Sequence, residues 1–134
     1  MRFVSIFAAV GLFFFSAQVA AWGKAIWPFN TPYMVARQIC KNSEGWAMSA
    51  VASRRYGEQK ELMQELRSNK AWSVRDDPEY KLWHDIYYDE MARFVRLVWR
   101  NPDVQEETAA EIVRKDCRSR IKTIQKKLED TEPR

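Results

Sequence analysis

The chain has 134 residues, 46% of them apolar and 30% charged, with 22 Lys and Arg against 18 Asp and Glu for a net charge of +4. That length holds one domain, and the balance excludes both a disordered tail and a polytopic membrane protein. One His and two Cys leave almost nothing from which to build a metal site, and no metal or cofactor is expected.

Residues 1–21 read as a secretory signal. Arg2 supplies a positive start, Phe3 to Phe15 is an apolar run broken only by Ser5 and Gly11, and Val19-Ala20-Ala21 places small residues at a signal peptidase site. The rival reading is a retained anchor, since Phe3 to Ala21 is just long enough to span a bilayer, but the small and polar residues near its end fit cleavage better. Cleavage near Ala21 removes one charge and leaves about 110 residues, enough for one core. It also predicts a periplasmic or secreted address.

Export places Cys40 and Cys117 in an oxidising compartment, where two thiols have a single intramolecular pairing. The loop so closed has about 78 residues, for which chain entropy gives about 4.5 kcal/mol before any strain. A reactive thiol would want a neighbouring His or a Cys-x-x-Cys motif, and the sequence has neither. A structural disulfide is the expectation.

Residues 22–30, WGKAIWPFN, form an aromatic arm with no helical period. Either its Trp27 and Phe29 lie over the helices, or the arm, with Trp22, is a sticky segment for a partner or a membrane interface, where Trp is favoured. A helical domain then fills 31–130, ahead of a short tail at 131–134. The first helix opens at Thr31-Pro32, a cap oxygen followed by Pro, and runs to about Arg55, where Tyr56-Gly57 stops it. Ala36, Cys40, Ser43, Ala47, Ala50 and Val51 make a small-sided stripe at spacings of three and four. Gly45 predicts a kink or break near Asn42-Ser43.

The second helix is expected over Glu58 to Asn69 on Leu62, Met63 and Leu66, followed by a polar connection from Lys70 to Asp77. The third runs from Asp77-Pro78 to about Arg100, with Tyr80, Trp83, Tyr87, Met91, Phe94 and Val98 as the bulkiest stripe in the chain. Asn101-Pro102 ends it. The fourth starts between Asp103 and Glu106 and reaches about Leu128, with Val113, Cys117, Ile121, Ile124 and Leu128 facing inward. No stretch alternates with period two for long enough to make a strand. The prediction is an all-α bundle of about four helices with one long-range disulfide.

Catalytic signals are weak, and no catalytic residue is assigned. His84 is the lone imidazole and sits about 100° away from Trp83 around the third helix, which predicts a solvated or cap-paired ring. No Gly-x-Ser-x-Gly elbow is present. Carboxylates that could work in pairs include Asp76, Asp77, Glu79, Asp85, Asp89 and Glu90, and a small hydrolase would need Asp85, Asp89 and His84 to converge on one concavity. The clearest charge feature is a basic face on the last helix: Arg114, Lys115, Arg118, Arg120, Lys122, Lys126 and Lys127, opposed only by Asp116. It suits the helix C-terminus as a solvated face, or it attracts an anionic envelope surface. Nucleic acid is not expected, because export and the lack of interleaved aromatics both argue against it.

Cys40, the Ala-rich run from Ala47 to Ala52, Arg54-Arg55-Tyr56-Gly57, Leu97-Val98-Trp99-Arg100-Asn101-Pro102 and Val113-Arg114-Lys115-Asp116-Cys117 together resemble the pattern of small exported two-cysteine helical proteins of Gram-negative bacteria. The resemblance implies a periplasmic address and a disulfide, and it carries over no catalytic residue. The functional expectation is a non-enzymatic factor that binds another envelope or exported protein, as inhibitor, immunity factor, chaperone or accessory subunit. The alternative is an envelope-surface binder acting through the basic face, with a membrane surface as its partner.

Overall fold

The computed structural model describes residues 31–133. The predicted signal and the aromatic arm with Trp22, Trp27 and Phe29 lie outside the described residues. Among the described residues four α-helices follow in order: α1 Pro32–Tyr56, α2 Gln59–Asp76, α3 Lys81–Trp99 and α4 Glu106–Asp130, with one 3-10 turn, Pro78–Tyr80, ahead of α3. No strand occurs among the described residues, and the fold is the all-α bundle expected.

The caps of α1 follow from its sequence. Thr31 Oγ1 accepts from the Met34 N–H at 3.3 Å, and Pro32 takes a first-turn position where no N–H is needed. At the other end Gly57 adopts φ 67°, Glu58 N–H reaches Ser53 O at 2.7 Å and Gly57 N–H reaches Arg54 O at 3.4 Å. That pair of reversed bonds is a Schellman stop, which glycine permits without steric cost. Between the caps α1 is continuous, so the break expected near Asn42-Ser43 does not form. Gly45 points outward, while Ser43, Trp46 and Ala47 on the buried side hold the turn in place.

Two other boundaries move. α2 continues through Asp76, so the residues expected to form a polar connection from Lys70 onward are helical. Tertiary contacts and one stacking within α2 explain the extension. Lys70 Nζ lies 3.2 Å from Asp85 and 3.8 Å from Asp89, the Ser73 and Tyr88 hydroxyls share a 3.0 Å hydrogen bond, and Arg75 stacks over Trp72 at 4.0 Å. The expected start of the third helix at Asp77-Pro78 becomes the 3-10 turn, and regular α3 begins at Lys81.

Side-chain pairs set the topology. Cys40–Cys117 and Arg55–Glu106 make α1 and α4 antiparallel, Asn42–Tyr87 and Arg54–Val98 make α1 and α3 parallel, and Ser73–Tyr88 with Lys70–Asp85 ties the end of α2 to α3. α3 and α4 therefore run in opposite directions. α3 packs against all three other helices, and its Trp83, Met91, Phe94, Val95 and Val98 are fully buried. Ala36, Ala47 and Ala50 on α1 present almost no side-chain bulk, which lets α4 approach closely enough for a Cα–Cα distance of 5.5 Å between Cys40 and Cys117. Val35, Ile39 and Trp46, outside the predicted stripe, widen the apolar face of α1.

Candidate functional site

The segments Arg54-Arg55-Tyr56-Gly57 and Leu97-Val98-Trp99-Arg100-Asn101-Pro102 meet at one end of the bundle. Arg54 donates from Nη1 to Val98 O at 3.3 Å and Asn101 O at 2.8 Å, and from Nη2 to Val104 O at 2.8 Å. Trp99 Nε1 donates back to Ala50 O and Ser53 Oγ, both at 3.2 Å, while Asn101 Nδ2 closes onto Leu97 O at 2.8 Å. A guanidinium thus satisfies carbonyls that a helix C-terminus leaves without intrahelical donors. These residues lock the α3–α4 corner onto α1, a structural role.

Buried charge lies between α3 and α4. Glu90 is 4% exposed and receives both arms of Arg120, at 2.6 and 3.0 Å, with Lys127 Nζ at 3.7 Å. Hydrogen bonding to Glu90 pushes Arg120 above its already high value. One turn away Arg93 holds Asp116 at 2.5 and 3.3 Å, and on the α1 side Arg114 pairs with Glu44. The predicted basic face is therefore divided. Arg114, Arg120 and Lys127 bridge to neighbouring helices, and Lys115 and Lys126 pair along α4 with Glu111 and Asp130. Arg118 and Lys122 are exposed and make no ion pair among the described residues. Sequence reasoning missed the Glu90 clamp, although its signal was present: Glu90 falls on the apolar stripe beside Met91.

His84 is buried at 2% exposure, so it is not solvated. Its Nε2 lies 3.4 Å from Asp77 Oδ2 at the start of the 3-10 turn, the cap pairing that was the other half of the expectation. Burial pushes the imidazole down to about 4 against the opposing pull of Asp85. Asp85 itself is pushed up by burial, but hydrogen bonds from Lys81 and Lys70 outweigh this and hold its carboxyl below the ordinary value. Of the three residues that a hydrolase would need, His84 pairs with Asp77, while Asp85 and exposed Asp89 share Lys70.

A polar chain lies between α1 and α3. Gln38 Nε2 donates to Asn42 Oδ1 at 2.9 Å, and Asn42 Nδ2 donates to Tyr87 Oη at 2.9 Å. Burial pushes the Tyr87 hydroxyl up to about 12, beyond the reach of base chemistry near neutrality. Among the described residues every buried side-chain nitrogen or oxygen has a hydrogen-bond partner, and no group of three or more His, Cys, Asp or Glu gathers as a metal site.

The remaining predicted residues are the cysteines, and the structure joins them. Cys117 is fully buried, Cys40 is half-buried, and the bond spans 77 positions between α1 and α4. No described helix is long and apolar enough to cross a membrane. Beyond the disulfide, the surface offers exposed apolar side chains in the first turn of α1, Tyr33 at 49% and Met34 at 54%, immediately after the aromatic arm in sequence. Comparisons with protein-family models, with curated proteins and with solved structures find no match to this chain.

Proposed function

We propose that the chain is an exported, periplasmic protein whose work is to bind another envelope or exported protein without catalysing a reaction, as an inhibitor, immunity factor, chaperone or accessory subunit. The observation that carries this reading is the exposure of Tyr33 and Met34 at the start of α1. They follow Trp22, Trp27 and Phe29 in sequence, and neighbouring large exposed apolar side chains such as Tyr33 and Met34 mark contact sites. Tyr, Trp and Met are also the residues that interface cores favour. Export is supported by the apolar N-terminal segment and by a disulfide that an oxidising compartment maintains.

Site-specific photo-crosslinking in the producing cell tests the reading. A photoreactive residue at Met34 is expected to give a protein adduct that disappears when Trp22, Trp27 and Phe29 are replaced by Ser. The same group at Lys60 on α2 should give none. An adduct to lipid alone, or none from Met34, would refute it.

A further inference from the structure

Spacings of three and four place Arg37, Lys41, Glu44 and Met48 in one outward row on α1, and Arg114, Arg118 and Lys122 in one row on α4. The Glu44–Arg114 pair joins the two rows, and the Cys40–Cys117 bond pins their helices beneath it. The rows therefore lie side by side. Glu44 is the one acidic residue of α1, and Asp116 is the one acidic residue of α4 between 112 and 128. Both are already taken, by Arg114 and by Arg93. Arg37, Lys41, Arg118 and Lys122 are exposed without an ion pair among the described residues, and residues 1–30 contain no Asp or Glu that could supply one.

We propose that this outward face shared by α1 and α4 is a docking surface for a carboxylate-rich face of a partner protein. The inference rests on the protein-binding reading above and adds the chemistry of the partner. Charge complementarity is the first argument, since four unpaired cations on two helices create a field that steers and orients an acidic surface. Rigidity is the second, because a disulfide and a cross-helix ion pair fix the cation spacing in advance of binding. A bilayer is the poorer occupant. A helix lying on a membrane inserts an apolar flank between the lipids, and the apolar flank of α4, with Val113, Ile124 and Leu128, is already buried in the core. Of the exposed apolar side chains beside the face, Tyr33 is held by Arg37, and Met34 and Met48 also lie on α1. Their flexible thioethers suit an irregular protein surface.

The test compares two triple charge reversals of equal net change in the full chain. One, Lys41→Glu, Arg118→Glu and Lys122→Glu, strikes the face. The other, Lys60→Glu, Arg67→Glu and Arg96→Glu, strikes exposed cations elsewhere. The probes are labelled poly-L-glutamate, followed by anisotropy, and vesicles of phosphatidylglycerol and phosphatidylcholine in equal parts, followed by sedimentation. Reversal on the face should weaken poly-L-glutamate binding by about tenfold or more, and reversal elsewhere by less than about twofold. A zero-length carbodiimide should join the probe to Lys41 and Lys122 in the wild-type protein. Glutamine replacements at the same three positions keep the comparison if the Glu set melts early.

Equal losses from the two sets would overturn the proposal, because net charge alone would then explain binding. So would vesicle binding that depends on the face while poly-L-glutamate binding does not. Either outcome leaves the Met34 crosslink intact, whereas loss of that crosslink with a poly-L-glutamate preference for the face retained would strike the broader reading instead.

Discussion

Glu90 and His84 are the buried carboxylate and the buried imidazole of α3, and they are stabilised in opposite ways. Glu90 stays in the interior because Arg120 and Lys127 surround it. Removing the carboxylate in Glu90→Ala strands a partly buried guanidinium, and loss of one partner of such a pair costs about 3–5 kcal/mol. Urea unfolding should show this loss, and pairing Glu90→Leu with Arg120→Leu should recover most of it. His84 is held neutral. Its folded value near 4 lies below the ordinary 6.5, so the unfolded chain binds the extra proton first and stability falls as pH drops through this window. Between pH 7.5 and 5 the loss comes to about 2 kcal/mol. Chemical denaturation at several pH values should give that slope in the wild type and a flatter one in His84→Phe, with Asp77 and Asp85 unchanged.

At the scale of the helix, local rules and tertiary contacts divide the outcome. Gly45 is outward-facing, and a Cβ built there meets nothing within 4 Å. Gly45→Ala should therefore stabilise the protein by about 0.5–1 kcal/mol, visible as a higher urea midpoint with an unchanged slope. Much of the fold was legible because its signals are local: Thr31-Pro32 and Gly57 cap α1, and the stripe from Trp83 to Val98 forecasts the centre of the bundle. The misses are non-local. Residues 70–76 include helix formers and an Arg75–Trp72 stack but no apolar stripe that extends the one before them, and Asp85, Asp89 and Tyr88 hold that end of α2 from another helix. The solvated alternative for His84 fails because periodicity is counted from one stripe, whereas α3 packs on three neighbours and its buried arc is wider. The basic run of α4 was legible as composition, but only the positions of Glu44 and Glu90 reveal which of its cations are already engaged.

For the whole molecule, the Cys40–Cys117 bond sets how far the unfolded chain can expand. Its 77-residue separation corresponds to about 4.5 kcal/mol of chain entropy. The Cys40→Ser, Cys117→Ser protein should lose up to about that amount in urea, and wild type in excess dithiothreitol should match it. The same bond joins the earliest described helix to the latest, and this bears on synthesis as well as stability. A chain emerging amino end first presents Cys40 long before Cys117 exists. Until α4 is delivered, Cys40 remains open to alkylation or to a mixed disulfide with an oxidase. A truncated product ending before residue 117 would carry one reactive thiol for its lifetime, and the finished chain would carry none. Thiol status thus reports whether synthesis has passed Cys117.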